Sequence, residues 1–162
     1  MAKVMEKESK TMKSGGADKE LIGLLNQQVA NFSVLHMKLH QHHWFVKGSG
    51  FFDLHKKFEE LYDEASLTMD EIAERILALK GAPVSTSKEI AAATTLKEHA
   101  PLGTAEAMVK SLRDDYVQLI DEFKETMDAA EEKEDEGTHD MLNTMRTTLQ
   151  KHVWMLDAYL NE

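Results

Sequence analysis

Residues 18–81 read DKELIGLLNQQVANFSVLHMKLHQHHWFVKGSGFFDLHKKFEELYDEASLTMDEIAERILALKG. Leu21, Leu24, Leu25, Gln28, Val29, Phe32, Leu35, Leu39 and His43 recur at spacings of three and four, the period of an amphipathic helix. Asp18 suits the N-cap, and the pattern predicts a helix to about Val46, where Gly48-Ser49-Gly50 breaks it. A second stripe follows: Leu54, Phe58, Leu61, Tyr62, Ala65, Met69, Ile72, Ala73, Ile76 and Leu77. Asp53 is the expected N-cap of this helix, and Lys80-Gly81 its expected end, with Gly81 as the C′ glycine. At about 1.5 Å per residue the second helix is roughly 40 Å long.

Working outward, residues 81–103 hold both prolines, Pro83 and Pro101, and read as a long connection with a short helix from Ser87. Thr104 opens a third helix with the stripe Met108, Leu112, Tyr116, Leu119, Ile120, Phe123 and Met127. Glu131 to Gly137 is an acidic turn, and a fourth helix carries Met141, Leu142, Met145, Leu149, His152, Val153, Leu156 and Tyr159. Two short helix–helix connections and one long crossover make the expected class all-α. The expected arrangement is the ferritin-like one, a four-helix bundle with a short helix in the long crossover, with a bundle of other connectivity as the alternative. Residues 1–18 mix Lys, Glu, Ser and Gly without apolar periodicity and read as a flexible tail, leaving 19–162 as the bundle domain.

The chain has 162 residues, 8 Gly, 2 Pro and no Cys. So few turn formers argue against a β-sandwich, and the missing thiols exclude disulfides, thiolate metal sites and a cysteine nucleophile. No apolar run approaches the roughly 18 residues of a membrane span. With no apolar leader in the first residues, the expected compartment is the cytoplasm. The net charge is −10. Five lysines against three acids put about +2 on residues 1–19, so the body carries about −12. Such a body repels nucleic acid and attracts cations.

Eight histidines require an explanation. His36, His40 and His43 fall within about 60° of one another on the first helix. On the second, His55/Glu59 and Asp70/Glu74 are i,i+4 pairs, each placing two ligand types on one face. Imidazole with carboxylate suits iron, zinc or manganese. Yet fifteen residues separate His55 from Asp70, about 22 Å of helix, which no ion spans. Two copies of the helix packed antiparallel across a two-fold axis bring the histidine end of one to the acidic end of the other. This creates two equivalent sites roughly 20 Å apart. Plainer readings stand beside this one. His43 suits a hydrogen-bonded core histidine, Glu59 and Glu74 suit solvated positions near Lys56 and Arg75, and His36-x3-His40 suits adventitious zinc. His40 and His42 read as surface groups.

HHWFVKG at 42–48, FFDLHKKFEELYDEA at 51–65, MDEIAERILALKG at 69–81 and KHVWMLDAYL at 151–160 resemble the Dps miniferritins, the DNA-binding proteins from starved cells. The resemblance covers about residues 20–161 and rests on His43-Trp44, Gly48, Leu54-His55, Glu59 and Asp70-x3-Glu74 in order. It implies a homo-dodecameric shell with iron as substrate and cargo. Fe2+ is oxidised, preferentially by hydrogen peroxide, and stored as ferric mineral, which protects DNA. It implies ferroxidase ligands His43, His55 and Glu59 from one subunit with Asp70 and Glu74 from its neighbour. Glu59 stands where many members have Asp. Trp44 is implied beside the site as a quencher of oxidising intermediates. Glu131, Glu136 and Asp140 match an acidic iron-entry channel. Zinc and other divalent ions are expected to substitute for iron. The tail lysines leave direct DNA binding, and a nucleoid-associated location, as an alternative main role. A helical interaction module without metal is the third reading.

Overall fold

The computed structural model describes residues 18–162. Of the tail read over residues 1–18, all but Asp18 lies outside the described residues. Five helices follow in order: α1 (Lys19–Phe45), α2 (Phe51–Ala78), α3 (Ser87–Ala93), α4 (Ala105–Glu132) and α5 (Glu136–Leu160). The described residues contain no strand. α1 packs along α2, α4 along α5, and α1 also meets α3 and α4. The four long helices form the bundle, with Phe32, Phe58, Phe123, Leu35, Ile72 and Leu142 fully buried at its centre. α3 lies in the crossover, as its sequence predicts, opened by a capping box between Thr86 and Glu89.

Most boundaries follow from local chemistry. The Asp18 carboxylate accepts from the Glu20 and Leu21 amides at the start of α1. Thr104 accepts from Ala107 at the start of α4. Two expectations are corrected. Gly50, not Asp53, is the N-cap of α2; Asp53 lies inside the first turn, where its charge still favours the positive helix end. At the other end the left-handed residue is Lys80, with φ of 65°, rather than Gly81. Lys80 N–H bonds Leu77 O and Gly81 N–H bonds Ile76 O, both at 2.9 Å, which is the Schellman pattern. Gly81 is small for a different reason: a Cβ there lies 2.7 Å from Ile22 Cδ1. Packing against α1 selects the glycine, and the αL position falls to its neighbour.

α1 uses two faces. One packs on α2; the other carries a buried polar row, Gln28, Asn31, Lys38 and His42, that fastens the crossover and α4. Asn31 Oδ1 accepts from Thr94 Oγ1 and the Thr95 amide, both at 2.8 Å, while its Nδ2 donates to Glu122 at 2.7 Å. Lys38 pairs with buried Asp115 of α4 and donates to Lys97 O at 3.0 Å. Gln41 Nε2 reaches His99 O, also at 3.0 Å. His42 is therefore not the surface group expected; it is 0% exposed. It shares the inward stripe with Leu35, Lys38 and Leu39. Neither of its ring nitrogens has a partner among the described residues.

Two predictions follow from this packing. Lys80→Gly relieves the left-handed lysine and raises stability by about 0.5–1 kcal/mol, read as a higher Tm. Burial, then the charges of His99 and Lys38, lower the His42 pKa from 6.5 to about 4. As pH falls through that window the unfolded chain binds the proton first, so stability is lost. The loss in the metal-free protein reaches about 3 kcal/mol. Urea midpoints between pH 7 and 4 will fall less steeply in His42→Leu than in the parent protein.

Candidate metal centre

The chain reverses between α1 and α2 within residues 46–50. Val46 leaves the helix in extended conformation, and Gly48 adopts φ of 106°, accessible at low cost only to glycine. Phe51 N–H returns to Gly48 O at 3.1 Å. This tight reversal lays the last turn of α1 against the first turns of α2, so His43 and His55 meet. Their rings stack with centroids 3.6 Å apart and planes 17° from parallel. His43 Nδ1–H donates to His55 O at 2.7 Å, and His55 Nδ1–H donates to His43 O at 2.8 Å. A carbonyl can only accept, so both protons are fixed on Nδ1, and both Nε2 lone pairs are left for an ion. Backbone anchoring of the second ring nitrogen is the usual support of a metal-bound histidine.

Both histidines are half-buried, whereas Glu59, Asp70 and Glu74 are exposed along α2. Among the described residues no ion pair involves any of the three. Arg75, the neighbour expected to neutralise Glu74, points elsewhere. Its Nε donates to Thr138 at 2.8 Å and its Nη2 to Asp135 at 2.6 Å, clamping the start of α5. Asp70 and Glu74 belong to a stripe with Leu67 and Leu77, which are 70% and 56% exposed. The structure thus brings His43 and His55 together but keeps Asp70 and Glu74 at the far end of the same helix. Among the described residues no three His, Asp or Glu groups converge on one ion.

Trp44 is 62% exposed. Its ring faces His40 at 5.3 Å. His40 is half-buried rather than a plain surface group, because it stacks on Tyr62 with centroids 3.8 Å apart. The Tyr62 ring also meets His43 edge-on at 5.4 Å. Burial, then Glu59 and Asp63, raise its phenol pKa. Sequence reading placed Tyr62 only in the apolar stripe; its signal was the position seven residues after His55 and three after Glu59, on the same helical face.

The acidic turn shortens to Lys133–Asp135 between α4 and α5. Glu131, Glu136 and Asp140 line one open pocket of about 510 Å³ with Glu134, Asp135 and His139. Burial opposes ionisation of Asp135, but hydrogen bonds from Thr138 and the nearby Arg75 prevail and lower its pKa.

Residues 22–162 match the ferritin-like domain family. Over 141 residues the chain is 50% identical to general stress protein 20U of Bacillus subtilis, covering 87% of this chain and 97% of that protein. It is 50% identical over 145 residues to DNA protection during starvation protein 2 of Bacillus anthracis, covering 90% and 99%. The crystal structure of a Dps protein from Bacillus brevis aligns with a TM-score of 0.86 at 46% identity, over 88% of this chain and 95% of that one. Dps from Staphylococcus aureus aligns with a TM-score of 0.86 at 43% identity, over 90% and 98%. With the all-α bundle, its crossover helix and the anchored histidine pair in place, these likenesses show that the chain belongs to the Dps family of ferritin-like proteins.

Proposed function

We propose that this protein is a ferroxidase and iron store. It oxidises Fe2+ with hydrogen peroxide at sites shared by two chains, keeps the ferric product inside a twelve-chain shell, and so protects DNA from radical damage. The observation that carries this reading is the stacked pair His43/His55, with both Nε2 atoms free and the matching carboxylates a helix length away. The ligands of one site are His43, His55 and Glu59 of one chain with Asp70 and Glu74 of a two-fold-related copy. Exposed Leu67 and Leu77 beside the acids, and Met37 and Trp44 on α1, supply apolar surface for that copy to cover.

The ring geometry suits two ions. Imidazole lone pairs lie in the ring plane, and planes stacked 3.6 Å apart do not converge. Each histidine therefore serves its own iron, with carboxylates between them. Two Fe2+ each lose one electron, and the O–O bond of one peroxide takes both, so no hydroxyl radical is released. Carboxylates favour the product, since a hard trivalent ion gains more from anionic oxygen. Glu131, Glu136 and Asp140 form the wall through which cations enter, and Trp44 scavenges stray oxidant. Zinc and other divalent ions compete at the same ligands. The relative from Bacillus anthracis is named for DNA protection, which agrees with a chemistry that removes iron and peroxide together.

Native mass spectrometry is expected to give about twelve chain masses. The double variant His43→Ala/Asp70→Ala is expected to keep that mass and to slow formation of ferric absorbance at least ten-fold. An unchanged rate would place the chemistry elsewhere. Direct DNA condensation by the tail lysines is the second reading. A low-salt gel shift with and without residues 1–18 decides it, because retardation that vanishes with the tail would favour it.

A further inference from the structure

The anchoring of His43 and His55 recurs a few residues away, on a pair that iron oxidation does not use. His36 Nδ1–H donates to Tyr62 O at 3.0 Å, and His40 Nδ1–H donates to His36 O at 3.0 Å. Both rings are fixed in the Nδ1–H tautomer, and neither Nε2 has a partner among the described residues. Both side chains are half-buried, and Tyr62 supports both rings, stacked on His40 and edge-on to His36 at 5.8 Å.

The relative placement of the rings differs from that of the stacked pair. The His36 and His40 centroids are 4.5 Å apart with planes inclined by 58°. With a metal–nitrogen bond of about 2.0–2.1 Å and a ring radius of about 1.1 Å, two imidazoles sharing an ion at 90–110° have centroids about 4.5–5.3 Å apart. The separation fits one ion held by both rings, and the inclined planes let the lone pairs converge. Positions i and i+4 lie over each other on a helix, so the chelate needs no change of backbone.

We propose that His36 and His40 form a second cation site, a bis-imidazole chelate for a borderline divalent ion such as Zn2+, Co2+ or Cu2+, with water completing the shell. An all-nitrogen donor pair prefers these ions to the harder ones that carboxylates attract. Asp70 of the same chain lines the same pocket as His36, but the two donors proposed here, the Nε2 atoms of His36 and His40, are not among the ferroxidase ligands and do not depend on their assignment.

Calorimetric titration of the full chain with Zn2+ tests this. A His43→Gln/His55→Gln variant, which lacks the stacked pair, is expected to retain one ion per chain at this site. Adding His36→Gln is expected to weaken that binding at least ten-fold, as is adding His40→Gln. Loaded with Cu2+ instead, the variant keeping His36 and His40 should show two nitrogen donors by electron paramagnetic resonance, falling to one without His36. Zn2+ binding that is the same with and without His36, or already gone when only His43 and His55 are changed, overturns the proposal. Circular dichroism checks that each variant is folded. Should the triple variant unfold, His36→Gln alone is read by the same ten-fold criterion, as the loss of one class of bound ion.

Discussion

A straight helix cannot bring its own ends together. α2 carries His55 and Glu59 near its start and Asp70 and Glu74 near its end, with about 22 Å between them. The reversal at Gly48 reinforces this separation, because it spends α1's last histidine on the same end as His55. One end of the helix collects two nitrogen donors and one carboxylate, the other two carboxylates. Neither set alone is a full iron ligand shell. In the assembly proposed above, an antiparallel copy of the same helix completes both halves at once, and the outward leucines beside Asp70 and Glu74 offer that copy apolar surface to bury. On that proposal, metal chemistry and association draw on the same stripe of residues.

The second constraint is the long crossover. A connection of this length is expected to be mobile unless something holds it. Here α1 holds it, through Asn31, Lys38 and Gln41 on the residues just after α3. Burying these polar groups is costly unless they are partnered, and nearly all are. The exceptions among the described residues are Gln41 Oε1 and both ring nitrogens of His42, whose lowered pKa reflects that cost. The register of α1 against α2 is held on the other face, where His36 Nδ1–H donates to Tyr62 O at 3.0 Å and His43 and His55 exchange bonds with each other's carbonyls.

Much of this was legible in the residues, for identifiable reasons. Stripes such as Leu54, Phe58, Leu61 and Ala65 fix a helix and its buried face, since apolar period and burial have one cause. The capping chemistry of Asp18, Thr104 and Thr86 is local and reads directly. His55 with Glu59, and Asp70 with Glu74, stand out by spacing, whereas His43 joins His55 only through the family resemblance. What did not read was set by packing between elements. Gly81 looked like a helix stop because glycine commonly is one, but Ile22 dictates it. His42 looked exposed among other polar residues, yet it falls on the inward stripe of a helix that buries two faces. Tyr62 was hidden as one more apolar residue; its contacts with three histidines come from α1, which the α2 sequence does not mention.

Positive charge in the described residues is drawn to acids away from the candidate site. Lys38 is committed to Asp115, Arg75 to Asp135, and Arg113 to Asp114, Asp157 and Glu162. Lys57 turns to Glu60 although Glu59 is adjacent, and His152 takes Glu64. Among the described residues Glu59, Asp70 and Glu74 take no cation, although Lys56, Lys57 and Arg75 are sequence neighbours; other exposed acids such as Asp53, Glu71 and Glu125 are unpaired too, so what marks this helix is the pair of imidazoles at one end. Carboxylates left without cations at the two ends of one helix, one end beside two imidazoles with free Nε2 atoms, repel their own kind until a positive charge arrives. In the function proposed above a multivalent cation supplies it, and gains most when ligands from both ends meet around it. The same bias explains why acids dominate the pocket at the α4–α5 turn, where Arg75 takes only one carboxylate and leaves the others facing solvent.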